Sequence, residues 1–222
     1  MKDRRITDKG VTIKEQILAK VRNATIERPE AMFKDIDLQT ETWNPIKEED
    51  GTAITFVQKF KNMGGIFVYL ETEAEFGECM RQLAPQNGWE PLWCIEPTMQ
   101  EMLKKHGVSY NDHPDKQERQ KLAIITNCQY LVAQTGSIIL SDGDTLSRKA
   151  YTEPDVLLVV ARTEQIIGSL KEALKGLKER EFSNETSQFV IITGPTKTYD
   201  IEQNMVSSVH GPRQIAVFLI DD

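Results

Sequence analysis

Apolar residues near the start of the chain recur with the spacing of an α-helix, at Ile13, Ile17, Val21 and Ala24. Thr12 precedes this stripe and Glu15 comes three residues after Thr12, which is the spacing of a capping box at a helix N-terminus. The periodicity disappears over residues 27–51, where prolines and an acidic run indicate a linker. We therefore expect an N-terminal helical arm and linker over residues 1–50, followed by one main domain over residues 51–222.

Beyond residue 50, helical periodicity alternates with short, uninterrupted apolar runs. The helical spacing predicts a helix over residues 53–60 and three more that begin at Thr72, Thr98 and Thr163. Strand-like runs cover residues 66–70, 91–95, 130–133, 138–140, 156–161 and 189–193. Because strands that are apolar throughout are covered on both faces, this alternation predicts an α/β fold with a largely parallel sheet.

The composition narrows the classes of protein to consider. The formal net charge of −7 and a sequence pI near 5.2 argue against a nucleic-acid-binding surface. The longest apolar runs have six residues, far fewer than the roughly 20 that cross a bilayer, and no apolar signal-peptide core follows the charged start. We expect a cytoplasmic protein that binds neither nucleic acid nor membrane.

The three cysteines, Cys79, Cys94 and Cys128, are widely spaced along the chain. This spacing predicts buried thiols and no disulfide framework.

Two polar loops follow predicted strands, and ligands of open α/β sheets bind at the carboxyl ends of strands. The first loop contains Gln134, Thr135, Gly136 and Ser137. A hydroxyl on each side of a glycine allows side-chain and backbone donors to approach one phosphate or carboxylate oxygen. The same residues fit a tight turn between two strands, and spacing alone favours the turn.

The second loop follows the predicted strand over residues 189–193 and contains Gly194, Thr196, Lys197 and Thr198. No glycine precedes Lys197, so the loop is not a Walker A motif, although its ammonium and hydroxyl groups suit an anion. The structural alternative is a helix over residues 199–210 with Thr198 as its N-cap. Its apolar stripe would consist of Ile201, Met205 and Val209.

The sequence also contains residues that favour the start and the end of that alternative helix. Asp200 and Glu202 would lie in its first turn, where the positive end of the helix dipole favours acidic residues. Gly211 and Pro212 would terminate it. The residues alone therefore make the segment His210, Gly211, Pro212 and Arg213 a helix ending about as readily as a site.

Other polar residues give weaker signals. His106 shares an apolar stripe with methionines and leucine, which favours a satisfied core or boundary histidine over a ligand, and His113 lies too far from it for a zinc pair. A basic run at residues 147–149 is most simply a solvated face, although it follows the first loop. No hydrolase elbow, zinc-protease motif or dinucleotide-binding glycine motif occurs, so we expect neither a metal nor a cofactor.

Three segments resemble the signature of the LUD-domain family, in particular its lactate utilization protein C type (LutC or YkgG). Residues 191–202, IITGPTKTYDIE, and residues 209–213, VHGPR, resemble the family's strand followed by G-P-S/T-K/R-T-x-D-I-E and its later H-G-P motif. Residues 133–138, AQTGSI, resemble its A-E-T-G-T-V/I segment, with Gln134 in place of Glu and Ser137 in place of Thr. The similarity touches the whole chain and is specific over roughly residues 125–222.

The resemblance implies a three-layer α/β/α fold of the NagB/RpiA/CoA-transferase-like group. It also implies a part in the oxidation of L-lactate to pyruvate with iron–sulfur protein partners, which would hold any cluster because this chain has no cluster motif. Two alternatives stay open: a non-catalytic assembly subunit of that system, and an acyl- or phosphate-handling enzyme of the same fold group. Whether the chain is an enzyme, and whether it forms a homo-oligomer, stays open as well.

We expect a small anionic metabolite to bind between the two loops. Lys197 and Arg213 would neutralise its charge, and His210 would act as an acid or base. Hydrogen bonds would come from Thr135, Ser137, Thr196 and Thr198. The rest of the predicted ligand-binding set consists of Gly136, Gly194, Asp200, Glu202 and Gly211.

Overall fold

The computed structural model describes residues 12–26, 46, 51–90, 92–112, 122–141, 151, 154–179, 188–199, 205–207 and 211–221. Backbone packing divides the chain into two compact units, residues 1–42 and residues 43–222. No helix among the described residues combines the length and the apolarity needed to cross a bilayer.

The first unit contains helix α1, Ile13–Ile26, which confirms the predicted N-terminal helix. Its capping box is formed as predicted. The Thr12 amide donates to Glu15 Oε2 over 2.8 Å and the Glu15 amide donates to Thr12 Oγ1 over 3.3 Å. The hydrogen bonds that the Glu15 carboxyl accepts from the amide and the hydroxyl of Thr12 lower its pKa. The apolar stripe of α1 is exposed at Ile13, Ile17, Leu18 and Val21.

The second unit alternates helices and strands along the chain. Its first part contains α2 (Gly51–Asn62), β1 (Ile66–Leu70), α3 (Glu73–Asn87), β2 (Leu92–Trp93), α4 (Pro97–Lys105) and β3 (Ala123–Asn127). A middle part contains β4 (Tyr130–Val132), β5 (Ser137–Ser141), β6 (Val156–Arg162), a 3₁₀ turn (Thr163–Gln165) and β7 (Ile166–Ile167). The last part contains α5 (Leu170–Glu179), β8 (Phe189–Ile192), β9 (Lys197–Tyr199), β10 (Met205–Ser207) and β11 (Gln214–Ile220).

A five-stranded sheet in the order β1-β11-β6-β3-β2 is parallel at every pairing, which confirms the predicted α/β class. Its central strands have apolar residues on both faces. Leu158 and Phe218 pack under α3 and α4, and Leu157 and Val217 pack on the opposite face with α2. Burial of both faces explains why the sequence of these strands is continuously apolar instead of alternating.

A second sheet, in the order β7-β4-β5-β8, covers the face of the parallel sheet that α2 also covers. Strands β4, β5 and β8 are antiparallel neighbours. The apolar runs at residues 130–133, 138–140 and 189–193 are therefore strands as predicted, but they lie outside the parallel sheet. Helix α5 packs on the outer side of this sheet through Ala173 and Leu177, so its inner strands are also buried on both faces.

Two predicted helix starts are wrong. Helix α4 begins at Pro97 and not after a Thr98 cap, because proline suits the first helical position, where a missing N–H loses no helical bond. Residues Thr163–Gln165 form a 3₁₀ turn before β7, and α5 begins only at Leu170. The Glu172 amide donates to Ser169 Oγ over 3.2 Å and the Ser169 amide donates to Glu172 Oε2 over 3.2 Å, which marks Ser169 as the cap.

The alternative helix over residues 199–210 is also wrong. Thr198 lies in β9 and pairs with Val206 of β10 in an antiparallel ladder. Met205, which the helical stripe included, is a strand residue, so Gly211 and Pro212 do not end a helix that runs through residue 205. The local composition explains the error, because Thr198, Tyr199 and Val206 have strand-favouring side chains. Ile201 and Val209 lie outside the described residues.

All three cysteines are free thiols; Cys94 and Cys128 are buried and Cys79 is half-buried. Burial, and secondarily the nearby Glu96, raises the pKa of the Cys94 thiol to about 12. The same two causes raise the pKa of the Cys128 thiol, and burial raises that of Cys79. The prediction of buried thiols is confirmed for Cys94 and Cys128.

Candidate functional site

A cleft of about 560 Å³ opens along β8 and the loop that follows it. Five of the six residues from Gln188 to Thr193 form one wall, and Phe189 is the one that does not line the cleft. The remaining lining comes from four separate segments and consists of Met63, Tyr151, Gly194, Pro195, Thr196, Lys197, Gly211 and Pro212. The second of the two predicted loops therefore lines this cleft through residues 194–197, which follow the end of β8.

Two glycines allow the segments around the cleft to approach one another. Gly194 has φ of 75°, and a Cβ there would lie 2.8 Å from Met63 Cβ. Gly211 has φ of 95°, and a Cβ there would lie 2.5 Å from Thr196 Oγ1. The Thr196 amide also donates to the Pro212 carbonyl over 3.0 Å. Residues 194–197 and 211–212, which the sequence placed in one site, are thus brought together, and side chains larger than glycine would separate them.

The first predicted loop is a hairpin turn between β4 and β5, the alternative that spacing favoured. Gly136 has φ of 65°, and a Cβ there would lie 2.6 Å from the Phe60 backbone nitrogen. Its amide donates to the Val132 carbonyl over 2.9 Å. Gly136 therefore lets the turn pack against α2, and neither Gly136 nor Thr135 lines the cleft.

A chain of three hydroxyls connects this turn to the cleft. Thr135 Oγ1 lies 2.7 Å from Ser137 Oγ, and Ser137 Oγ lies 2.7 Å from Thr193 Oγ1. Ser137 is 3% exposed, whereas Thr193 is exposed and lines the cleft. A hydroxyl donates one hydrogen bond and accepts two. The buried Ser137 therefore orients the Thr193 hydroxyl at the cleft wall, and Thr135 and Ser137 reach the cleft only through Thr193.

The two predicted cations lie in different environments. Lys197 is exposed and lines the cleft. Arg213 is not among the lining residues, and its Nε lies 3.4 Å from Asp155 Oδ1 at the start of β6. Within the described residues, the predicted convergence of both cations on one ligand is therefore not observed, and Lys197 supplies the positive charge of the cleft.

Several predicted residues lie outside the described part of the chain: Asp200, Glu202, His210, His113 and residues 147–149. The backbone of Thr198 belongs to β9. His106 lies at the C-terminal end of α4, with Nε2 at 3.7 Å from Glu73 Oε2. Its Nε2 is buried without a hydrogen-bond partner in the described structure. The prediction that the hydrogen-bonding groups of this histidine are satisfied is therefore wrong.

Acidic and basic side chains lie close together at the carboxyl edge of the parallel sheet. This is the edge where we predicted the ligand-binding loops. Glu73 accepts from Lys105 Nζ over 2.9 Å and from Arg162 over 2.6 Å. These two bonds lower the pKa of the Glu73 carboxyl to about 2. One carboxylate thus pairs with two cations from α4 and β6, and the cluster is structural. No group of His, Cys, Asp and Glu side chains among the described residues is arranged to hold a metal ion.

Sequence reasoning missed Met63, Tyr151 and Thr193. Thr193 is the polar residue that ends the apolar run of β8, directly before Gly194, and this position was a usable signal. Met63 and Tyr151 had no such signal, because they reach the cleft from segments distant in sequence. The Tyr151 hydroxyl donates to the Ser141 carbonyl and fixes that ring at the wall.

Comparisons with known proteins agree with this fold. The chain is an α/β protein with a loop-lined cleft, and the model of the LUD domain matches residues 55–220. The chain therefore belongs to the LUD-domain family. A crystal structure of a DUF162 family protein from Deinococcus radiodurans has the same fold, with a TM-score of 0.55 and 19% identity over 79% of this chain and 99% of that chain.

Curated relatives carry the name lactate utilization protein C. The protein from Deinococcus radiodurans is 30% identical over 99 residues, which are 44% of this chain and 46% of that protein. The protein from Bacillus pumilus is 28% identical over 122 residues, which are 52% of this chain and 51% of that protein. The alignments thus span about half the length of these curated relatives.

Proposed function

We propose that this chain is a lactate-utilization-protein-C-type component of a system that oxidises L-lactate to pyruvate, and that its cleft binds a small anion. The names of the relatives support the link to lactate. Iron–sulfur proteins are proposed as the partners that hold the redox centres. In this proposal the chain is cytoplasmic, and it recognises the anion and presents it to those partners.

The observation that carries the ligand proposal is the grouping of Lys197 with the hydroxyl-bearing Thr193 and Thr196 along one cleft. An ammonium and two neutral hydroxyl donors match a carboxylate, which accepts several hydrogen bonds and carries one negative charge. Gly194 and Gly211 allow the segments that carry these groups to pack together around the cleft. The proposal gives Thr135 and Ser137 an indirect part, through Thr193, and keeps His210 as an acid or base to be tested.

Ligand binding is tested by thermal unfolding of the full chain with L-lactate, pyruvate and inorganic phosphate. A ligand at about 100 times its dissociation constant adds roughly 2.7 kcal/mol to the free energy of unfolding. For a chain of this size, that corresponds to a rise in Tm of about 5 to 10 °C. If none of the three compounds raises Tm, the proposal that the cleft binds lactate or a similarly small anion is contradicted.

The role in lactate use is tested by complementation. A Bacillus subtilis strain that lacks its lactate utilization protein C would receive this chain and grow on L-lactate as the carbon source. The proposal predicts growth with wild type and with Lys178→Ala, a control on the exposed face of α5, but poor growth with Lys197→Ala. Equal growth with Lys197→Ala would favour the assembly-subunit alternative, and no growth with folded wild type would contradict the lactate role.

A further inference from the structure

The cleft is much longer than a three-carbon acid. One wall runs from Gln188 to Thr193, in and around the extended strand β8, and every residue of this stretch except Phe189 lines the cleft. Five steps of about 3.3 Å make this wall about 17 Å long, whereas the carbon skeleton of lactate extends roughly 5 Å with its oxygens. The volume of about 560 Å³ lies in the range of sites that enclose drug-sized ligands. Lactate would therefore fill only one end of the cleft.

Large apolar side chains open to water line much of the remaining cleft. Ile191 is 45% exposed and Met63 is 40% exposed, although both are large hydrophobic residues. Pro195 and Pro212 add further apolar surface to the lining. Apolar side chains gathered on a concave, exposed surface favour a ligand that covers them, because covering removes them from water.

The apolar and polar parts of the wall follow one another along a single face of β8. Side chains two residues apart on a strand point to the same side, so Ile191 and Thr193 share a face. Their positions are about 6.6 Å apart along the strand. A carboxylate bound at Thr193 and Lys197 thus places an attached carbon chain over Ile191 once that chain has about five carbons.

We infer that the cleft binds a 2-hydroxy carboxylate with a carbon chain of five or more atoms, with the carboxylate at Thr193, Thr196 and Lys197 and the chain over Ile191 and Met63. This inference rests on the proposed function for the anion subsite only. It changes the expected substrate class from a three-carbon acid to longer members of the same chemical series, which should bind more tightly than L-lactate.

The test is isothermal titration of the full chain with L-lactate, L-2-hydroxybutyrate, L-2-hydroxyhexanoate and L-2-hydroxyoctanoate. Kd should fall about twofold for each added methylene, because an open cleft removes about half of each methylene from water. Over the series this is a gain of about 30-fold. Octanamide, which has the chain without the carboxylate, should bind far more weakly than L-2-hydroxyoctanoate.

Two variants localise the carbon chain. Ile191→Thr keeps the β-branched shape of the strand residue but removes apolar surface, so it should weaken L-2-hydroxyoctanoate several-fold more than L-lactate. Leu174→Thr is the matched control, since Leu174 is 52% exposed on α5 and does not line the cleft. It should leave the whole series unchanged.

The outcomes separate the inference from the proposed function. A Kd that is measurable for L-lactate but constant along the series would overturn the inference and leave the anion site standing. Tight binding of L-2-hydroxyoctanoate without measurable L-lactate binding would support the inference and contradict lactate as the ligand. If no member binds, both fail. Equal effects of Ile191→Thr and Leu174→Thr would also overturn the inference, because the chain would then lie elsewhere.

Discussion

Ser137 Oγ lies 2.7 Å from Thr193 Oγ1 and connects a buried hairpin turn to the wall of the cleft. The serine is buried, so its hydroxyl depends on its two threonine neighbours, whereas the exposed Thr193 hydroxyl is also accessible to a ligand. If a bound anion accepts a hydrogen bond from Thr193, then Ser137 must donate to Thr193 and Thr135 must donate to Ser137. A ligand in the cleft would therefore fix the direction of the whole chain.

Replacing Ser137 with alanine should weaken both the fold and the anion site. The change removes two hydrogen bonds and should lower the free energy of unfolding by about 1–2 kcal/mol. The unoriented Thr193 hydroxyl should then raise Kd for L-lactate several-fold. Thr193→Ser, which keeps the hydroxyl, should retain most of the affinity, and Thr193→Val should not. Unchanged L-lactate affinity in Ser137→Ala and Thr193→Val would rule out this role for the hydroxyl chain.

Gly136→Ala should destabilise the protein more than Gly107→Ala. Both glycines have φ near 65°, so alanine is strained at either position by about 1 kcal/mol. At Gly136 the new Cβ would in addition lie 2.6 Å from the Phe60 nitrogen, whereas nothing lies within 4 Å at Gly107. Chemical denaturation should show an extra loss of about 1–3 kcal/mol for Gly136→Ala. If the two variants lose the same free energy of unfolding, then α2 can move away from the new Cβ at residue 136 without destabilising the protein, and the prediction is wrong.

The ion pairs of Glu73 should contribute a pH-dependent part of stability. Hydrogen bonds from Lys105 and Arg162 hold the pKa of Glu73 at about 2, below its ordinary value of 4.5. A lowered carboxyl pKa stabilises the fold above pH 4.5 and the contribution is lost as pH falls toward 2. Because the groups are partly exposed, we expect about 1–2 kcal/mol at pH 7.

Denaturation of wild type and Glu73→Gln at pH 7 and pH 3 measures this contribution. The difference between the two proteins should shrink by more than half at pH 3. Glu78→Gln is the control, because Glu78 interacts only at the exposed surface of α3, with Arg81 and Gln82, and should change stability by less than about 0.5 kcal/mol at either pH. A difference that does not depend on pH would show that Glu73 acts by packing alone.

Thiol reagents should distinguish the three cysteines. Cys94 and Cys128 are buried and their thiol pKa values are raised, so both remain neutral thiols even at pH 9. Cys79 is half-buried and should react first. We expect one thiol to react with Ellman's reagent in the native protein and the other two only on unfolding, with Cys79→Ser removing the early reaction. Rapid labelling of that variant would contradict the burial of the other two.

Much of the parallel sheet could be predicted from the sequence, but the second sheet could not be told apart from it. Strand β4 is as continuously apolar as β6, because each is buried on both faces. The informative feature was the short connection between β4 and β5, since parallel neighbours need a crossover of a dozen or more residues. Periodicity within each strand contains no information about that pairing.

The site was predictable only where its residues are close together in sequence. Gly194, Thr196 and Lys197 follow one strand and could be grouped by their spacing. Arg213 has the same charge as Lys197, and only the fold shows that it lies beside Asp155 instead of in the cleft. Thr198 and Val206 show the same limit, because a stripe that fits a helix was overruled by strand pairing.

The most direct test of the anion site compares the two cations. Titration of L-lactate into wild type, Lys197→Ala and Arg213→Ala gives Kd for each protein and shows which of the two cations interacts with the ligand. Lys197 lines the cleft and Arg213 is paired with Asp155 outside it, so Lys197→Ala should raise Kd about tenfold or more, whereas Arg213→Ala should leave Kd within about twofold. An unchanged Kd in Lys197→Ala, or a larger loss in Arg213→Ala, would contradict the proposed site.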